Sequence, residues 1–236
     1  MRSETDLEKI AFEVDHWQRF NRYLVLEALE IVQNSSLKKA LELGCGSGVT
    51  TSIYLSHFEA VTVVDGSATY LARARERNKE SQNAEYICSY FEDLKLDYQF
   101  DDVIMAHILE HVEDPVGILQ QATNWTTSNG KIHIIVPNGL SLHRRVGVEL
   151  GMLSEPDELP DSEAERGHRR VYTLAKLEHD ISQAGLKLTE ARGCLVKVFP
   201  DAVLKVIHEE YIDALFRISR QVDPGICADL YVTCRK

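Results

Sequence analysis

Leu41-Glu42-Leu43-Gly44-Cys45-Gly46-Ser47-Gly48-Val49-Thr50-Thr51 is the stretch that decides the fold. An apolar strand meets a carboxylate, then three glycines at alternate positions, then the start of a helix. Glycines remove Cβ atoms where a ligand must touch backbone. The same pattern also suits a turn that only lets a strand and a helix pack closely. A dinucleotide fingerprint, G-x-G-x-x-G, fits poorly, because Val49 stands in the slot of its third glycine. A pyrophosphate also seeks an unopposed helix N-terminus. Glu42 opposes one and suits a ligand with cationic groups.

Working outward, Ala60-Val61-Thr62-Val63-Val64 is a short β-branched run that ends at Asp65. Asp65 lies 21 positions after Gly44. One βαβ step has that length, and an acid about 20 residues on reaches ribose hydroxyls. Gly66 and Ser67 follow, and Ser67 can cap a helix from Ala68 to about Asn78.

The rest of the chain alternates. Strands are expected at 38–43, 60–64, 84–88, 101–106, 130–136 and 228–234, with helical patterns between them. This is an α/β pattern with a mostly parallel sheet covered on both faces. Leu7, Ile10, Ala11, Val14, Trp17 and Phe20 give residues 4–33 a helical apolar face. Trp17, Phe20 and Tyr23 are either lid residues or plain core. Asp114-Pro115 starts one helix, and Asn129-Gly130 is expected to end it. Helices are also expected at 141–151, from Thr173, and from Pro200-Asp201 to about Gln221. The 34 or so residues after Val136-Pro137-Asn138 read as a functional segment, since compact domains rarely carry long idle loops.

With 236 residues, the chain fits one domain, 1–236. No apolar run is long enough for a membrane span. The polar start, Met1-Arg2-Ser3-Glu4-Thr5-Asp6, gives no reason to expect a signal peptide. Five cysteines without CxxC spacing read as reduced thiols in a cytoplasmic protein. A net charge of −11 argues against a general affinity for nucleic acid. His143-Arg144-Arg145 and His168-Arg169-Arg170 are either a solvated face or an anion site.

Several motifs carry a family resemblance. Residues 42–48 have the form E-x-G-x-G-x-G, and Phe100-Asp101-Asp102-Val103 is F-D-x-V. Ile108 to Pro115 reads x-L-E-H-V-x-D-P, and P-N-x-x-S-x-H-R-R and G-H-R-R-V-Y follow. The chain resembles the class I S-adenosylmethionine (SAM) methyltransferases, most strongly over residues 39–175. The resemblance implies a Rossmann-like seven-stranded sheet, an N-terminal helical lid over 1–35, and a substrate-side cap over 139–172 inserted after strand five. It implies SAM as cofactor, held by Glu42, Gly44, Gly46, Gly48, Asp65, Gly66, Ser67, Phe91, Glu92 and the backbone near Ala106. Tyr90 stands where family members often carry an acid for the adenine amino group, so Glu92 or a backbone carbonyl would substitute. Phe91 would either lie along the adenine or simply pack.

His107, Asn138 and Tyr172 are the candidates around the reacting centre. Methyl transfer to a small-molecule O or N nucleophile, with His107 as base, is the first reading. The pairing of Asn138 with Tyr172 also resembles azetidine-2-carboxylate synthases. There the SAM amine attacks its own γ-carbon and 5′-methylthioadenosine leaves, with SAM alone as substrate. Asn138 would accept from that amine, and the Tyr172 ring would hold the sulfonium. A non-catalytic SAM-binding protein is a third reading, and a dehydrogenase a weak fourth. His107 and His111 would share a helix face if that helix began early, but no third ligand at suitable spacing is evident, so no metal is expected. Neither a nucleic-acid nor a membrane partner is expected, and the oligomeric state stays open.

Overall fold

A computed structural model describes residues 18–199, 203 and 207–236, with side chains from Arg22 onward. In chain order the elements are α1 (Gln18–Gln33), β1 (Lys39–Leu43), α2 (Val49–His57), β2 (Ala60–Asp65), α3 (Ala68–Arg77) and β3 (Ala84–Cys88). A 3-10 turn at Phe91–Asp93 precedes β4 (Phe100–Ala106), α4 (Pro115–Trp125) and β5 (Thr126–Pro137). The remainder is α5 (Leu142–Glu149), α6 (Asp161–Glu165), α7 (Leu174–Gln183), β6 (Lys187–Cys194), α8 (Glu209–Ser219) and β7 (Asp229–Arg235), with a 3-10 turn at Pro224–Ile226 before β7.

The seven strands form one sheet in the order β3-β2-β1-β4-β5-β7-β6. β1 pairs in parallel with both β2 and β4, so strand order reverses beside β1. That reversal opens a crevice beyond the carboxyl ends of β1 and β4. β7 runs antiparallel to β5 and β6, so its start, Asp229, lies at the same end of the sheet.

Alternation along the central strands builds two cores. Leu41, Leu43, Val103 and Met105 face Ile118, Leu119, Leu177 and Ile181 of α4 and α7. Ala40, Val61, Val63 and Ile104 face Ala28, Ile31, Tyr54 and Phe216 of α1, α2 and α8. Successive side chains on opposite faces, each buried, require strands apolar throughout.

The caps form as the sequence suggests. Ser67 accepts from the Tyr70 N–H, Asp114 from Gly117, and Thr173 from Lys176. Each satisfies an orphan donor of a first turn. Other expectations are corrected. α4 stops at Trp125, and Asn129-Gly130 lies inside β5, not at the end of that helix. The register shift between Phe100 and Asp102 accommodates the extra β5 residues. The segment 107–113 is not helical, so His107 and His111 share no helix face. β6 was not located in the sequence; it is an edge strand carrying Lys187, Glu190 and Arg192. α8 begins at Glu209, after the capping His208, and Pro200 and Asp201 lie outside the described residues. Of the expected helix 4–33, Gln18–Gln33 is described; Trp17 and the side chain of Phe20 lie outside. Tyr23 packs in the second core.

A buried polar chain ties the sheet to the turn before β1. Asp102 accepts from the Ser36 N–H at 2.9 Å and contacts the His133 Nε2 at 2.8 Å. The His133 Nδ1 meets the Tyr231 hydroxyl at 2.8 Å. Burial holds His133 neutral, below its usual pKa. A depressed folded pKa leaves stability intact above the unfolded value of about 6.5 and removes it as pH falls below that. The His133 contribution to urea stability should therefore fall from pH 7 to pH 5, and it is read as the difference between the parent and His133→Gln. The His133 share is at most about 1.4 kcal/mol per pH unit. His133→Gln should be less stable than the parent at pH 7, and that gap should narrow towards pH 5. Equal slopes would mean that His133 titrates alike in both states.

Candidate ligand site at the carboxyl ends of the strands

The glycine turn sits directly beyond β1. Gly44, Gly46 and Gly48 have φ of +80°, +48° and +78°, a region that disfavours side chains. Their surroundings differ. A Cβ on Gly48 would lie 2.6 Å from the Ala74 Cα, so this glycine lets α3 approach. A Cβ on Gly44 would lie 2.3 Å from the Ile108 Cδ1 and 3.9 Å from the tip of Phe91. A Cβ on Gly46 would meet nothing within 4 Å. Gly46 alone of the three faces open space, where a ligand could touch its backbone.

Glu42 lies beneath this turn rather than at its mouth. The Thr50 and Thr51 hydroxyls of α2 each donate to it at 2.7 Å, and it is 2% exposed. Burial raises its pKa to about 7, against the pull of those two hydrogen bonds. Asp65 ends β2 beside the turn. It accepts from the Cys45 N–H at 3.0 Å and from the Ser67 N–H at 2.9 Å. Burial raises its pKa, and these donors oppose the rise. The carboxylate is thus locked between two loops, with Gly66 half-buried and Ser67 buried as the α3 cap. Phe91 is half-buried against the first core, while Glu92 is exposed.

His107 follows β4 with φ of +56°, and its N–H bonds to the Ile135 carbonyl at 2.8 Å. Its ring lies between two acids, Glu27 of α1 at 2.9 Å and Glu110 at 3.6 Å. Burial lowers its pKa, but the charge of Glu27, the hydrogen bond to it and the nearby Glu110 carboxylate outweigh that and raise it to about 10. At neutral pH the ring is an imidazolium, which holds a proton rather than taking one.

Asn138 and Tyr172 do meet, through backbone. They form an isolated parallel bridge, and the Gly139 N–H bonds to the Tyr172 carbonyl at 2.6 Å. Their side chains diverge. The Asn138 amide donates to the Gly225 and Cys227 carbonyls at 3.0 and 2.9 Å and accepts from the Leu140 N–H at 3.0 Å. The Tyr172 ring is buried in the first core, and its hydroxyl donates to Asp180 of α7 at 2.9 Å. The structure gives both side chains structural partners.

Residues 41–134 match the family of the methyltransferase domain. The chain is 32% identical over 97 residues to a ubiquinone biosynthesis O-methyltransferase of Coxiella burnetii, covering 40% of this chain and 42% of that protein. It is 27% identical over 103 residues to nodulation protein S of Sinorhizobium fredii, covering 44% and 45%. The chain thus spans less than half the length of these curated relatives. The crystal structure of N-methyltransferase NodS from Bradyrhizobium japonicum, in complex with S-adenosyl-L-homocysteine, superposes with a TM-score of 0.63 at 15% identity. That match covers 98% of this chain and 97% of that one. The chain has the class I methyltransferase fold.

In this methyltransferase fold the crevice lies beyond the carboxyl ends of β1 and β4, and two acids there were not found in the sequence. Glu27 comes from α1 and Asp229 from the start of β7, and with His107 their polar atoms lie within 4.8 Å of one another. Positions 27, 107 and 229 share no local spacing, so only the fold unites them. Burial pushes Asp229 well above the usual carboxylate range. The cap arginines are mostly occupied. Arg144 binds Glu163 at 2.6 Å and the Pro156 carbonyl, and Arg170 binds the Leu109 and Val112 carbonyls at 2.6 Å. Arg144 ties the cap together and Arg170 seals it onto the loop after β4, so neither guanidinium is left open for an anion. Among the described residues, no helix is long and apolar enough to cross a membrane.

Proposed function

We propose that this protein is a SAM-dependent methyltransferase acting on a small-molecule O or N nucleophile. One observation carries this reading: the open turn at Gly46 lies beside a carboxylate, Asp65, fixed by the N–H groups of Cys45 and Ser67. That pair suits a ligand with a ribose diol and a polar tail. Asp65 would accept from the ribose hydroxyls, the Gly44–Gly46 backbone would meet the amino-acid end, and Phe91 would line the adenine. Gly66, Ser67, Glu92 and the Ala106 backbone complete the same rim. Bound SAM supplies an electrophilic methyl carbon on a sulfonium.

The protein's own contribution is positioning and exclusion of water, which can lower a barrier by several kcal/mol. His107 already carries its proton, so it orients and balances charge rather than serving as the base. Asp229 stands beside His107 at the same end of the sheet, and in its ionised form it would take the nucleophile's proton. α1 brings Glu27 over this end of the sheet, which supports a covering role for the N-terminal helix.

The cyclisation reading keeps one observation, the Asn138–Tyr172 bridge. Incubation with SAM alone, followed by mass analysis, separates the two. The expected result is no turnover until an amine or hydroxyl acceptor is added, and then S-adenosylhomocysteine. 5′-Methylthioadenosine with a four-membered amino acid from SAM alone would replace the methyl-transfer reading. Tyr172→Phe removes only the bond to Asp180. It should lower stability by about 1.5–3 kcal/mol and leave kcat near the parent value.

A further inference from the structure

The seam between the cap and the loop after β4 carries a second group of chemistry-bearing side chains. Glu110 and His111 come from the loop, and His168 from the end of the cap. Their polar atoms lie within 4.8 Å of one another. We propose that these three side chains form a zinc-type divalent metal site that fastens the cap to the body.

Three observations support it. Glu110 is 1% exposed, and neither carboxylate oxygen has a hydrogen-bond partner among the described residues. Its ion-pair contact is the His107 Nδ1, at 3.6 Å. The His107 ring offsets part of the Glu110 charge, but the Glu110 oxygens keep no hydrogen bond, which is costly for a buried carboxylate; a cation between the three groups would bond to it directly. Next, both histidines carry the contacts that orient metal-ligating rings. The His111 Nδ1 donates to the Gly167 carbonyl at 3.2 Å. The His168 Nδ1 lies 3.8 Å from Glu163, which the Arg144 guanidinium anchors at 2.6 Å. Metal-bound histidines ordinarily donate their second ring nitrogen to a carbonyl or carboxylate; His111 does so here, and His168 has its carboxylate close by without a hydrogen bond.

The ligand chemistry provides the third. Two imidazoles and one carboxylate suit zinc and its borderline neighbours better than calcium or magnesium, which favour oxygen sets. A tetrahedral ion with bonds of about 2.1 Å would bring the ligand atoms to about 3.4 Å apart, a small contraction. The seam is already stiff, because the Arg169 N–H bonds to the Glu110 carbonyl at 2.8 Å. Water would complete the fourth position. The site lies outside the glycine turn and Asp65, so its test stands apart from the cofactor reading.

The test is titration of the metal-stripped full chain with Zn²⁺ alone, followed by calorimetry, and with Co²⁺ by visible absorption. The expected result is uptake of one equivalent per chain, a tetrahedral Co²⁺ spectrum and a raised Tm. His168→Ala and His111→Gln should each weaken binding by more than about 100-fold and abolish the Tm shift. Glu163→Gln, which lies beside His168 but is none of the three ligands, should weaken it by about 10-fold. Circular dichroism guards against a variant that fails to fold, and a folded Glu163→Gln keeps the test decisive if one does. The proposal is overturned by absence of stoichiometric uptake in the parent. It is equally overturned by uptake unchanged in folded His168→Ala, or by uptake lost in Asp229→Asn but kept in His168→Ala. That last pattern would place the ion between Glu27, His107 and Asp229 instead.

Discussion

Gly46→Val is expected to abolish binding of SAM and S-adenosylhomocysteine while leaving a folded protein. The two halves of that expectation have separate physical origins. A Cβ at Gly46 meets no protein atom within 4 Å, so the fold has room for it. The cost to folding is the strain of a branched residue at φ of +48°, about 1–2 kcal/mol. The branched side chain would instead project into the space assigned to the cofactor. Gly48→Val is the control. Its Cβ would strike the Ala74 Cα at 2.6 Å and the Ala74 Cβ at 2.9 Å, which are backbone-bound atoms of α3. That variant should lose the fold itself. Circular dichroism and calorimetry on both variants check the pair. Cofactor affinity within about threefold of the parent in Gly46→Val would remove the turn from the binding site, since a steric block of this kind predicts no measurable binding.

The contrast between these glycines shows what the sequence could convey. The alternate glycines and the acid 21 positions later announce a strand, a turn and the next strand, because backbone geometry leaves a local trace. Ser67 and Asp114 were legible as caps for the same reason, and Thr173 as the start of a helix. Side-chain direction leaves no such trace. Asn138 and Tyr172 are indeed neighbours, yet one amide turns to the Gly225 and Cys227 carbonyls and the other side chain turns to Asp180. Charge is equally ambiguous. Arg144 and Arg170 read as either a solvated face or an anion site, but their guanidinium groups bind carbonyls of the cap and loop. β6 was hidden because its charged, partly exposed pattern is that of an edge. Glu27 and Asp229 were hidden because their partner, His107, is remote in sequence. Pairing with Glu27 also changed what His107 can do, from a base to a held imidazolium.

Asp65→Ala should weaken cofactor binding by about 1–3 kcal/mol, or about 5- to 150-fold in Kd. The carboxylate is 7% exposed and is pinned by the Cys45 and Ser67 N–H groups, so it presents its remaining lone pairs in a fixed direction. Charged acceptors held without freedom to reorient give strong hydrogen bonds to a hydroxyl pair. Removing Asp65 also leaves those two N–H groups without their acceptor, so some stability should be lost with the affinity. Asp65→Asn should rescue little, because its NH₂ group would face one of the two backbone donors. Loss of affinity alone does not separate a ribose contact from a loosened loop. S-adenosylhomocysteine lacking the ribose 2′-hydroxyl does. The parent should bind that analogue more weakly than the natural ligand, and Asp65→Ala should bind the two alike. This thermodynamic cycle reads the coupling between carboxylate and hydroxyl directly. If the variant discriminated between the two ligands as well as the parent does, Asp65 would be a brace between two loops, and the ribose would be held elsewhere.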